Sequence, residues 1–66
     1  MKLLLTKHAK ERMAEKAITL DMIREVIQKG ATVRQTDGSL ASYGYIKVAY
    51  KHIGEEYYKI KTVFVG

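Results

Sequence analysis

Residues 43–65 read YGYIKVAYKHIGEEYYKIKTVFV, and the alternation of their side chains decides what the chain can fold into. From 43 to 51, Ile46, Val48 and Tyr50 fall on one face and Tyr45, Lys47, Ala49 and Lys51 on the other. From 57 to 65, Tyr58, Ile60, Thr62 and Phe64 continue the first face, and Tyr57, Lys59, Lys61 and Val63 the second. A period of two marks strands, and the intervening HIGEE joins them as an antiparallel hairpin. The apolar sets must pair with each other, because a slip of one residue would turn every side chain over.

This pairing puts Lys47, Lys51, Lys59 and Lys61 on one face. Every in-phase register then sets a lysine against a lysine: Lys47 against Lys61 or Lys59, or Lys51 against Lys59. Directly opposed like charges cost roughly a few tenths of a kcal/mol, part of which salt and water absorb on an exposed surface. An anion held on that face would remove the cost. Tyr45 and Tyr57 on the same face supply flat rings between cations, the combination on which single-stranded RNA stacks.

Upstream the apolar period lengthens to that of helices. Thr6 can cap a helix over residues 7–16, in which Ala9, Met13 and Ala17 form a narrow apolar stripe and His8, Arg12 and Lys16 the row beside it. Thr19 repeats the cap for a helix over 20–29, with Asp21 in its first turn and an apolar face of Leu20, Met22, Ile23, Val26 and Ile27. Gly30 stands where a left-handed residue is expected to end that helix. Residues 3–5 read as a short strand, ATVRQT (31–36) as another, and DGS (37–39) as a turn. The expected fold is a single α+β domain over residues 1–66, of order β-α-α-β-β-β, with two helices on one face of an antiparallel sheet.

The composition narrows the function. A chain of 66 residues has a thin core and little room for an enclosed small-molecule pocket, so surface chemistry is expected. Without cysteine it has neither a disulfide framework nor a thiolate metal site. The apolar run of MKLLLT is too short for a secretion signal, and no stretch is long enough to span a bilayer. The expected setting is the cytoplasm, with no membrane contact. A net charge of +5 and a sequence pI near 9.6 favour a polyanionic partner.

His8 opens its helix where unpaired N–H groups and the dipole disfavour a positive ring, which suits an imidazole that accepts a proton. Arg12, one turn on, can hold a phosphate through its planar fork, and Lys16 can add charge. A proton acceptor beside such cations is sufficient for metal-free cleavage of RNA by its own 2′-hydroxyl. No residue pattern suggests a metal ion or cofactor. His52, in the hairpin loop, reads as a surface residue.

The segment HAKERMAEKAIT, the glycine ending the second helix and the closing KTVFV resemble a family of small bacterial and archaeal domains of unknown function. That family carries a His-Ala-x-x-Arg-Met signature, usually continued by Arg-Gly-Ile, and is similar to the RelE/ParE and BrnT groups of toxin–antitoxin systems. The matching positions are His8, Ala9, Arg12, Met13, Ile18 and Gly30, with Thr62 and Val63 near the end; Lys16 and Ala17 replace the usual Arg-Gly. The resemblance implies a RelE-like fold and a toxin that cleaves RNA and is held in check by a partner antitoxin. The resulting expectation is a basic, RNA-binding, toxin-like endoribonuclease: His8 and Arg12 catalytic, and Lys16, Tyr45, Lys47, Lys51, Tyr57, Lys59 and Lys61 binding. An acidic antitoxin and a second copy of the chain are the expected protein partners. The alternative is a non-catalytic nucleic-acid-binding or protein-interaction module.

Overall fold

Both threonine caps form as the sequence predicts. In the computed structural model, which describes residues 1–66, helix α1 spans Lys7–Lys16 and helix α2 spans Leu20–Lys29. The Ala9 N–H donates to the Thr6 hydroxyl at 3.0 Å and the Met22 N–H to that of Thr19 at 3.2 Å. Each bond satisfies one of the backbone donors that a helix start leaves open. At the far end of α1, Ala17 adopts the left-handed conformation (φ 54°, ψ 43°), and the Ile18 N–H closes onto the Met13 carbonyl at 2.9 Å. Ala17 thus holds a conformation that glycine adopts more readily.

Around the helices run β1 (Lys2–Leu5), β2 (Ala31–Gln35), β3 (Gly38–Tyr43), β4 (Ile46–Ile53) and β5 (Tyr57–Val65). They form one sheet in the order β1-β5-β4-β3-β2. The expected succession of a strand, two helices and a run of strands is present, with two differences. GSLASY, which has too little β-branched character to stand out, forms a strand of its own, so that the turns fall at Thr36–Asp37 and Gly44–Tyr45. The sheet is mixed, because β1 lies parallel to β5, with Leu3 beside Tyr58 and Leu5 beside Ile60. The chain between them includes both helices, which carry the return crossover that parallel neighbours require.

Gly30 ends α2 in extended rather than left-handed geometry (φ −79°, ψ 168°). What excludes a side chain there is close packing: a Cβ would lie 2.4 Å from the Ser42 carbonyl oxygen and 2.5 Å from that of Val26. This contact seats the end of α2 on β3.

The core lies between the helices and one face of the sheet. Ala9, Ile18, Ile23 and Val26 meet Ala41, Ile46, Val48, Tyr50, Ile60 and Val63, and no polar side chain is buried with them. Val63 was expected on the lysine face and Phe64 on this one. A β-bulge reverses them: Tyr50 pairs with Ile60 and Ala49 with Thr62, leaving Lys61 as the extra residue. The Thr62 hydroxyl is buried without a hydrogen-bond partner even with the bulge. Strict alternation would have pointed the bulky Phe64 ring at the helices. The bulge puts Val63 there instead, opposite Val48.

Replacing Val63 with Ala should cost about 2 kcal/mol in urea unfolding and Phe64 with Ala well under half of that; the reverse order would remove the bulge. Replacing Ala17 with Gly should raise stability by roughly 0.5–1 kcal/mol, since glycine relieves the left-handed strain.

Candidate nucleic-acid interface

Because the helices cover one face, the side chains that alternate with the core form an open face on the other. The register orders them in rows. Ser42, Lys47 and Phe64 lie across β3, β4 and β5. Beside them run Val33, Leu40, Ala49 and Thr62, and then Lys51, Lys59 and Leu4. Ile53, Tyr57 and Lys2 close the sequence. One of the expected like-charge pairs is therefore present, Lys51 directly opposite Lys59.

Asp37, in the β2–β3 turn, divides the lysines into two kinds. Its carboxylate pairs with Lys51 at 2.9 Å and with Lys61 at 3.5 Å, and the Lys61 ammonium also donates to the Asp37 backbone carbonyl. Lys61 passes Gly38 on the way; a Cβ on Gly38 would stand 2.4 Å from the Tyr50 carbonyl oxygen and 3.4 Å from the Lys61 nitrogen. With φ at +109° as well, position 38 suits glycine on two counts. The hydrogen bond and charge of Lys51, followed by the charge of Lys61, hold the Asp37 carboxyl below the usual carboxylate value. Lys47 and Lys59 have no carboxylate within ion-pair distance.

Aromatic rings flank these two unpaired lysines. Phe64, 44% exposed, is directly across from Lys47, and Tyr57, 39% exposed, is on the same face two residues before Lys59. The Lys2 ammonium sits 5.5 Å from the centre of the Tyr57 ring, a cation–π contact. Tyr45, 64% exposed, falls in the Gly44–Tyr45 turn just before β4, and its carbonyl accepts the Gly66 N–H at 3.0 Å.

His8, Arg12 and Lys16 stand in the helix layer, not in the rows of sheet lysines. They belong to α1, which packs on the core face through Ala9, whereas Lys47, Lys51 and Lys59 point away from that face. His8 and Arg12 border one open depression of about 630 Å³ together with Glu11 and Glu15. No group of three or more His, Cys, Asp or Glu side chains gathers closely enough to hold a metal ion. His52 is exposed; its ring stacks on Tyr58 at 4.3 Å, and its Nε2 donates to the Glu55 carbonyl at 3.2 Å.

The sequence reading missed two residues of this surface. Phe64 was hidden by the bulge, for which the only local signal was Thr62 at a nominal core position. Asp37 read as an ordinary turn residue, and its role emerges only from a strand register that brings the turn beside β4 and β5.

The molecule is thus an α+β domain of two layers, helices on one side and a basic, aromatic sheet surface on the other; no helix is long and apolar enough to cross a membrane. The chain belongs to the family described as Domain of unknown function (DUF4258), whose model matches residues 5–65. No curated protein and no solved structure matches it.

Titration of the Asp37 carboxyl by NMR should give a midpoint below the usual carboxylate value, and Lys51→Gln should move it upward. A carboxyl whose pKa is lowered by folding adds stability that is present above its unfolded value and is lost as pH falls through the folded one. The difference in stability between the wild type and Asp37→Asn should therefore be present at pH 7 and close in acid.

Proposed function

We propose that the open face of the sheet binds single-stranded RNA, with Lys47 and Lys59 meeting phosphates and Phe64 and Tyr57 stacking on bases. The observation that carries this reading is the presence of unneutralised lysines and exposed rings together on a face that no helix covers, Lys47 opposite Phe64 and Lys59 on the same face as Tyr57. Stacking platforms between cations suit a flexible single strand, whose bases are free to lie flat. Lys51 and Lys61, already shared with Asp37, rank second. The net positive charge speeds the encounter and makes it sensitive to salt.

The toxin-like reading adds cleavage, with His8 taking the proton of a 2′-hydroxyl and Arg12 holding the phosphate. His8 and Arg12 belong to the helix layer and not to the open face, so cleavage requires RNA to reach α1 as well. Binding is therefore the function that the arrangement favours.

Fluorescence anisotropy with a labelled oligoribonucleotide across a salt series tests both. Lys47→Gln and Lys59→Gln should each flatten the slope of log affinity against log salt by about 0.7. Phe64→Ala should weaken binding about tenfold, the effect of losing one stacked base. His8→Ala should change nothing. Absence of binding in dilute buffer would end the proposal, whereas cleavage that His8→Ala abolishes would move the function to α1.

A further inference from the structure

At the end of the sheet, the β2–β3 turn and the end of β4 enclose a cleft of about 320 Å³ to which no apolar side chain contributes. Arg34 and Ser39, cross-strand neighbours on β2 and β3, line it together with Thr36, Asp37, Lys51 and His52. Arg34 is exposed and pairs with no carboxylate. The one acid of the cleft, Asp37, is occupied by Lys51 and Lys61. Two lining cations, Arg34 and Lys51, thus stand against one carboxylate that Lys61 also neutralises from beside the cleft. The Nε2 of His52 donates to the Glu55 carbonyl, so the ring contributes no free donor to the cleft.

These groups specify a ligand class. The lining side chains are all polar or charged, which favours a polar ligand over a purely apolar one, and the excess of positive charge repels a metal ion. A carboxylate would satisfy the Arg34 fork and leave the remaining donors unused. A tetrahedral dianion matches both the charge and the number of donors: the guanidinium fork, the Thr36 and Ser39 hydroxyls and the Lys51 ammonium. We propose that this cleft binds a phosphomonoester, the phosphate inside and its ester group toward solvent. The proposal is independent of RNA binding on the open face, although Lys51 contributes to both surfaces.

The test is a titration of the ¹⁵N-labelled full chain with inorganic phosphate at constant ionic strength. The Arg34 side-chain N–H and the backbone amides of Thr36 to Ser39 should shift together along one saturable curve. Arg34→Gln, on an exposed position of an edge strand, should weaken that binding about tenfold, the effect of one lost charge-assisted contact. Lys47→Gln combined with Lys59→Gln should leave it unchanged, which separates this site from the open face. No saturable shift, or equal affinity in Arg34→Gln, would overturn the proposal.

A second arm compares oligoribonucleotides with 5′-phosphate and 5′-hydroxyl ends. A preference for the phosphate that disappears in Arg34→Gln identifies a nucleic-acid end as the ester. No preference, in a protein that saturates with inorganic phosphate, identifies a small phosphomonoester.

Discussion

The Thr6 hydroxyl joins the two halves of the molecule. It accepts the Ala9 N–H that starts α1 and donates to the Lys61 carbonyl at 2.9 Å, while the Thr6 N–H donates to the Ile60 carbonyl at 3.2 Å. The carbonyls it engages belong to the bulge in β5. A bulge turns the strand by one residue, so this contact sits where the inward and outward sets of β5 exchange. Val63 enters the core and Phe64 leaves it downstream, and Lys61 is freed from the ladder to reach Asp37. Anchoring the helix, filling the core and arranging the open face all depend on one local irregularity.

How much of this could be read in the sequence follows from the range of each interaction. Caps and helical periods are set within four residues, and both helices span the residues expected, 7–16 and 20–29. Alternation in β4 is equally local, and so was the inference that one lysine must face another, which Lys51 and Lys59 fulfil. The bulge, the parallel placement of β1 and the separate strand over Gly38–Tyr43 depend on partners far along the chain. Thr6 and Lys61 are 55 positions apart, and no pattern within either segment announces the other. The site readings divided in the same way. Lys47, Lys51, Lys59 and Tyr57 share a face as read, whereas Lys61 became the extra residue of the bulge and Phe64 was gained through it. His8 and Arg12 lie on their helix as expected, but the helix packs behind the sheet that carries the lysines.

Asp37 changes the meaning of the charge. Four like charges on one surface suggest a uniform field, yet one carboxylate from a neighbouring turn engages two of them. In solvent such pairs contribute little stability, and their larger effect is to organise: Lys51 and Lys61 are held toward the turn, whereas Lys2, Lys47 and Lys59 on the open face have no carboxylate partner. The same carboxylate spans the open face and the terminal cleft, because Lys51 is common to both.

A last consideration separates these lysines from a merely protective role. Sheets often carry charges on their edge strands to prevent pairing with other chains, and Lys2 on β1 and Arg34 on β2 are placed to do so, since those strands are the edges. Lys47, Lys51, Lys59 and Lys61 are on β4 and β5, both interior strands whose backbone groups are already paired on either side. No edge there needs guarding, and placing Lys51 opposite Lys59 costs stability. Solubility could be served by charges anywhere on the surface, the helices included. Concentrating them at the centre of the one uncovered face, with Phe64 and Tyr57 among them, is the arrangement that the proposed contact with an extended anion would use.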